Sequence, residues 1–398
     1  MLSEHTSESI HPFGLPMELV ETALEEVFYD HQRQPDYATL SACSKVCSAW
    51  RAPAQKLLFH QLTLPGRKDK NALECFRAAV YGSSEQSRLL ASHIRRVHVV
   101  LDHDASEVTD LVDMVSHCHH LYEVTLHIQS LHALDTIDLE ALREAHRRSH
   151  PTCIRALGLL YCGVMSPILY QLLAVWPTVQ YLRLGTELAA PPPKIPPKVR
   201  LYELVLWRLP PPAIMAWILS NSGKGCLRVL DINEAPSSRY DHVLEQHYQY
   251  LHSLRFFRHT TLRVGPLTRR FANLREFVVT QPSSFLPLGN LPESIEHLGF
   301  RYFSGVTTTI PLGPIIAAVD KLPKLRLVTC DANTKENEQF ASLEKLCRER
   351  EVVISFDVVP VRTYEDPVPL NKYPRGRSVE NFRHMNQPIC LPGVAQNA

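Results

Sequence analysis

One short pattern recurs along most of this chain: an apolar residue, two of any kind, a second apolar residue, one of any kind, and a third apolar residue. It begins at Ile94 (with Val97 and Val99) and returns at Leu121 (Val124, Leu126), Ile154 (Leu157, Leu159), Val179 (Leu182, Leu184) and Leu201 (Leu204, Leu206). It continues at Leu227 (Leu230, Ile232), Leu251 (Leu254, Phe256), Leu274 (Phe277, Val279), Ile295 (Leu298, Phe300) and Leu325 (Val328, Cys330). A single triplet is cheap in a chain that is 45% hydrophobic, but ten in series at similar spacing are not. The alternation of the last two apolar positions is that of a half-buried strand. Helical patterns lie between several of them, at 108–117, 167–176, 213–220, 240–248 and 314–321. One strand, turn, helix and return cannot bury its own apolar face, so the units must stack on their neighbours. An ordinary doubly wound α/β domain is the rival arrangement, which the number of units disfavours.

The mean repeat, about 26 residues, and its pattern resemble the leucine-rich repeat. The resemblance implies an α/β solenoid of alternating strands and helices over 65–360, with the strands lining a concave face. This chain departs from the family in the turn: of the Asn or Cys preferred eight residues after the first apolar position, only Cys162 is present. Uneven curvature and loops of variable length are therefore expected, 191–197 being one such loop. On the concave face, residues between and just after the second and third apolar positions point away from the core. Candidate partner-binding residues there are Tyr181, Arg183, Glu203, Trp207, Arg255, Phe257, His297 and Arg301. Trp207 and Phe257 stand out, because exposed aromatics are common binding hot spots; the bland alternative is cover by loops or the tail. After residue 361 the pattern dissolves into a Pro-rich, polar segment to 398, read either as a disordered tail or as a strap across the concave face.

Residues 15–64 follow a different rule. Pro16 suits a helix start and Glu18 the helix N-terminal dipole. Leu19, Val20, Ala23, Leu24, Val27 and Phe28 then recur at three- and four-residue intervals. A polar run with Pro35 breaks the pattern, and Asp36 is placed to cap a second helix carrying Leu40, Cys43, Val46, Cys47 and Trp50. A third, shorter pattern runs from Ala54 through Leu57 and Leu58 to Phe59. Three short amphipathic helices make only a small core, and such a unit needs a partner or a neighbouring domain.

The series Leu15-Pro16-x-Glu18-Leu19, Leu40-x-Ala42-Cys43-Ser44-x-Val46-Cys47-x-x-Trp50-Arg51 and Leu58-Phe59-x-x-Leu62-x-Leu64 resembles the F-box, in the form found in fungal leucine-rich-repeat F-box proteins. The motifs are specific in combination, although the gap from Tyr29 to Tyr37 is longer and more polar than the usual turn. The resemblance implies docking onto a Skp-type adaptor that links the chain to a cullin scaffold. Carried over by position, Leu15, Pro16 and Leu19 would face the adaptor. Leu40, Val46, Cys47, Trp50 and Phe59 would be shared between the F-box core and that interface. The alternative is a helical cap sealing the end of the array, and the two are compatible.

Bulk properties exclude several classes. Lys plus Arg number 42 against 41 Asp plus Glu, with no long basic run, so nucleic acid is not the expected partner. The N-terminal fourteen residues contain acids and no apolar core, so no secretory signal is expected. Ten cysteines without framework spacing suit reduced thiols in the cytosol or nucleus. The uncharged stretch from Ala156 to Trp176 reads as strand, turn and helix rather than as a membrane span.

No nucleophile elbow, phosphate loop or dinucleotide fingerprint occurs. Asn221-Ser222-Gly223-Lys224-Gly225 lacks the rest of a P-loop, and His242-x-x-Glu245-x-His247 has the wrong spacing for a zinc protease. The adjacent ligands His117-Cys118-His119-His120 cannot all converge on one tetrahedral site. Cys43 and Cys47 read as small hydrophobes. The expectation is a non-catalytic chain without metal or cofactor. It would be the substrate receptor of an SCF-type cullin–RING ubiquitin ligase, holding a protein substrate on the solenoid; the alternative is a ubiquitin-independent interaction scaffold.

Overall fold

The computed structural model describes residues 15–31, 33–64, 70–101, 105–148, 154–256, 270–280, 288–301, 312–356, 365–370 and 372–385. Within them, twelve strands form one parallel sheet whose spatial order follows the chain. They are β1 (Gln61–Thr63), β2 (Arg96–Leu101), β3 (Glu123–Ile128), β4 (Ala156–Tyr161), β5 (Tyr181–Leu184), β6 (Glu203–Leu206), β7 (Val229–Ile232), β8 (Ser253–Phe256), β9 (Glu276–Thr280), β10 (His297–Arg301), β11 (Leu327–Cys330) and β12 (Val353–Phe356). Each strand lies beside its predecessor, so the order never reverses as it does in a doubly wound sheet. The molecule is a linear stack of strand-centred units.

In all ten sequence triplets the second and third apolar positions fall on a strand and the first lies just before it, and every one of these apolar residues is 5% exposed or less. Their second positions form a single ladder: Val97 opposite Val124, then Leu157, Leu182, Leu204, Leu230, Leu254, Phe277, Leu298 and Val328. A one-residue slip in any unit would turn its apolar set to the wrong face, which makes the register self-specifying. Two strands carry no triplet. β1 is built from residues read as the end of the F-box-like segment, so that segment runs into the sheet instead of stopping before it. β12 closes the far end with Val353 exposed.

Helices cover the other side of the apolar ladder. The chain order is α1 (Met17–Glu26), α2 (Tyr37–Cys43), α3 (Ser48–Leu58), α4 (Lys70–Val80), α5 (Glu85–His93), α6 (Ala105–His117), α7 (Thr136–Arg148), α8 (Ile168–Val175), α9 (Pro212–Leu219), α10 (Asp241–Tyr248), α11 (Gly313–Lys321), α12 (Phe340–Glu349) and α13 (Asn381–Met385). Buried residues of the array helices, among them Leu111, Leu172, Ile218, Leu244 and Val319, join the strand ladder in one continuous core. Packed helices need about 8–10 Å and paired strands about 4.8 Å, so a unit with a helix is wider on the helix side. That mismatch favours curvature with the face away from the array helices inward. The uncharged stretch 156–176 resolves into β4 and α8, both within this core. No helix among the described residues is long and apolar enough to cross a membrane.

The three N-terminal helices have a core of their own: Val20, Leu24, Phe28, Leu40, Ala54 and Leu57. Asp36 caps α2, its carboxylate accepting from the Thr39 backbone N–H at 2.9 Å and the Thr39 hydroxyl at 2.7 Å. The polar gap before it is a closed turn, in which Asp36 N–H donates to Phe28 O at 2.8 Å and Gln34 N–H to the Asp30 carboxylate at 2.8 Å. The second helical pattern is not continuous. α2 stops at Cys43, where the Ser44 hydroxyl bonds back to Ser41 O at 2.8 Å and competes with the helix. Val46 lies in a turn, Cys47 is the extended N-cap of α3, with φ −162°, and Trp50 sits in the first turn of α3.

Candidate functional site

Two surfaces carry the residues that the sequence singled out. The first is the N-terminal helical unit. Leu15 is 46% exposed, Leu19 55% and Val46 64%, and Val27 is also exposed. Pro16 is exposed too, while Cys47 and Trp50 are half-buried. Leu40 departs from its expected shared role: at 0% exposure it is wholly inside the helical core and offers no surface. Phe59, half-buried, packs on the core of the array and so belongs to the junction.

The second surface is the inner face. Side chains alternate along each strand, so the residues on either side of the ladder positions form rows across this face. One row runs Arg96, Glu123, Ala156, Tyr181, Glu203, Val229, Ser253, Glu276 and His297. The next holds His98, Thr125, Gly158, Arg183, Val205, Asp231 and Arg255. The expected candidates Tyr181, Glu203, Arg255, His297 and Arg301 stand on these rows or just beyond, yet all are buried. Arg183 is half-buried, Trp207 is 38% exposed, and Phe257 lies outside the described residues.

The cover comes from the C-terminal segment. Of the two sequence readings of that segment, its described residues, 365–370 and 372–385, form the strap. Asp366 is 2% exposed and Arg375 6%. The Arg96 guanidinium donates to Asp366 at 2.6 Å and pairs with Glu123 at 3.0 Å. The same carboxylate accepts from Asn381 Nδ2 at 2.6 Å and from Ser378 N–H at 3.1 Å, so each Asp366 oxygen is matched. Tyr122 Oη donates to Pro367 O at 2.6 Å. Arg375 donates to Glu203 at 2.5 Å, and Glu365 pairs with both Arg255 and Arg375.

Deeper on the same face, Glu276 holds three groups together. Its carboxylate accepts from Arg255 Nη2 at 2.6 Å and from the Ser253 hydroxyl at 2.5 Å, and lies 2.9 Å from His297 Nδ1. Burial alone would raise the Glu276 carboxyl, but Arg255, His297 and Ser253 together hold it well below the usual carboxylate range. Burial lifts Glu365 the other way, to about 7, against the pull of Arg255 and Arg375. A group of opposite charges this dry holds only while its partners stay in place.

Apolar strap residues complete the closure. Val368 and Met385 pack with Tyr122, Ala156 and Tyr181, while Val379 and Phe382 enter the core of the helical unit. The strap thus ties the N-terminal helices to the middle of the array. Its residues Asp366, Arg375, Asn381 and Phe382 were not singled out in the sequence, because a non-periodic polar segment carries no signal of the partners it finds far upstream.

The buried acids and arginines neutralise one another, and among the described residues no three His, Cys, Asp or Glu side chains are grouped to hold a metal ion. In comparisons with known proteins, no family model and no curated protein matches the chain.

Proposed function

We propose that the chain is the substrate-receptor subunit of an SCF-type cullin–RING ubiquitin ligase: an F-box docks a Skp-type adaptor, and a leucine-rich-repeat solenoid presents a protein substrate. The observation that carries this reading is the division of labour among the apolar residues of the helical unit. Val20, Leu24, Phe28 and Leu40 build its core, while Leu15, Leu19, Val27 and Val46 stay exposed. A helical cap serving only the array would turn its apolar residues inward; large apolar side chains left in water on one small unit favour a partner surface. The exposed residues Leu15, Pro16 and Leu19 occupy the motif positions that the F-box resemblance assigns to adaptor contact.

The mechanism is positional. One end binds the ligase core, the array holds the substrate, and tethering raises the effective concentration of substrate lysines near the charged ubiquitin carrier. The strap contributes rigidity by fixing the angle between the two ends. The test is co-purification of the full chain with a Skp-type adaptor, comparing the wild type with the double variant Leu15→Ala/Pro16→Ala and the single variant Val46→Asp. Binding by the wild type that both variants lose, with unchanged thermal unfolding, supports the receptor reading. A folded wild type that ignores the adaptor sinks it and leaves the ubiquitin-independent scaffold.

A further inference from the structure

The connection between β5 and β6, every residue of which is described, carries no helix. In its place stands Pro191-Pro192-Pro193-Lys194-Ile195-Pro196-Pro197-Lys198. The flanks of this segment belong to the core, through Leu188 and Ala190 on one side and Val199 and Leu201 on the other. Between them the chain is pinned by its carbonyls. Tyr170 Oη donates to Ala190 O at 2.5 Å, Trp217 Nε1 to Ile195 O at 3.1 Å and Asn221 Nδ2 to Pro197 O at 2.5 Å. The donors come from α8, from α9 and from the residues just after α9. The segment therefore lies on the helix side of the array, away from the strap.

The side chains go the other way. Ile195 is 80% exposed although its own carbonyl is held by Trp217. Pro193, Lys194, Pro196 and Lys198 are exposed, Pro192 is half-buried and Pro197 is buried. Glu187, the one acid of the connection, pairs with Arg208 at 3.0 Å, and Lys194 and Lys198 have no ion pair among the described residues. A polyproline II helix has three residues per turn and so three edges. Over 192–198 these are Pro192–Ile195–Lys198, Pro193–Pro196 and Lys194–Pro197. The first two face water, and the buried Pro197 is on the third. Proline rings fix φ at four of these seven residues, and the residues before a proline are held extended. The backbone bends at Lys194 and Ile195, next to the joint where Pro193 is followed by a residue other than proline. Straightening takes rotation at that joint and release of the Trp217 hydrogen bond.

We propose that residues 192–198 are a ligand for a partner domain whose groove is lined with aromatic rings and flanked by acidic residues. Grooves of that kind take up polyproline II segments, whose ordering is largely settled before binding. Pro193 and Pro196, one turn apart, lie on the rings. Pro192 and Ile195 fill the neighbouring apolar slot, and Lys198 at the end of the same edge meets the acids. The choice of an acidic flank follows from charge, since the connection offers two free lysines and no free acid. This surface is separate from the N-terminal helical unit, so it stands whether or not that unit docks an adaptor.

The test presents the purified full-length chain to an array of isolated SH3 and WW domains, followed by calorimetric titration of the binders. Saturable binding is expected from domains with acids beside the groove. The double variant Pro193→Ala/Pro196→Ala and the single variant Ile195→Asp should each weaken it by about tenfold or more, with unchanged thermal unfolding. Lys198→Glu should weaken it too and remove most of its salt dependence. No binding by any domain, or binding that survives the double proline variant, would overturn the proposal. So would binding by a synthetic peptide of residues 189–200 that the folded chain does not share, because the surface would then not be presented. Should the double variant not fold, Lys198→Glu and the peptide with Ala at 193 and 196 carry the test. Adaptor co-purification should be indifferent to all of these changes, so the two readings fail separately.

Discussion

The ring of Phe382 lies nearly parallel to that of His60, 3.5 Å between centroids and 20° between planes. Phe28 meets the same phenyl ring edge-on at 5.4 Å. A residue of the strap is thus clamped between the turn that follows α1 and the turn that leads from α3 into β1. Removing it should detach the helical unit from the inner face without touching the array core. Phe382→Ala is expected to cost about 2–3 kcal/mol, somewhat below the usual loss for a fully buried Phe because this side chain is half-buried. Limited proteolysis should then cut between α1 and α3 before it cuts the array. An unchanged cleavage pattern would show that the clamp does not hold the unit.

The pair Arg375–Glu203 should behave as a buried ion pair whose halves are worse than none. Arg375→Met alone leaves Glu203 uncompensated at 4% exposure, and about 3–5 kcal/mol of stability should be lost. The double variant Arg375→Met/Glu203→Met should lose clearly less than the sum of the two single changes. Urea denaturation of the four proteins gives the coupling directly. Strict additivity would mean that the strap does not rely on this contact.

Acid should weaken the fold through histidines buried neutral. His247 is 1% exposed with neither ring nitrogen hydrogen-bonded, and burial pushes its pKa down to about 4. His60 is also held well below the ordinary value, by burial first and by the Arg96 charge second. The unfolded chain takes up these protons near pH 6.5, whereas folded His247 resists until about pH 4. Stability should therefore fall as the pH drops through that window, by roughly 3 kcal/mol for His247 at about 1.4 kcal/mol per unit. His247→Phe should flatten this part of the profile in denaturation midpoints measured from pH 7 to 4. An unaltered slope would place the acid sensitivity elsewhere.

Two glycines should respond oppositely to the same substitution. Gly185→Ala drives a methyl into the Leu160 carbonyl and should cost about 1–3 kcal/mol, since backbone cannot move aside cheaply. A Cβ on Gly223 would meet nothing within 4 Å, so Gly223→Ala should be close to neutral. Thermal unfolding of the two variants side by side is the check, and equal shifts would contradict the packing around β4 and β5.

The stack of strands was legible because its signal is local and repeated. Val97, Leu182 or Leu298 each declares its own direction through alternation, and ten such declarations agree. The break between α2 and α3 was harder to read, since Val46 and Cys47 keep a helical interval that the Ser44–Ser41 contact interrupts. β12 offered only four residues and no triplet. The burial of Glu203 and Arg255 lay beyond any local pattern: on the array alone they face outward, and they are covered because Glu365 and Arg375 arrive from more than a hundred residues downstream. Arg183 and Trp207 escaped that cover for the same non-local reason.

Synthesis adds an order to this closure. Arg96 and Asp366 are 270 residues apart, and chains grow at about 5–20 residues per second, so Arg96 exists for about 15–55 s before its buried carboxylate is made. Throughout that interval the inner face of the growing array is wet, with Arg255 and Glu203 hydrated and Tyr181 uncovered. The young array must stand on contacts between successive units alone, its helical end tethered through β1 and the packing of Phe59 on the array core. A protein that meets it then finds a different surface from the one the finished molecule offers.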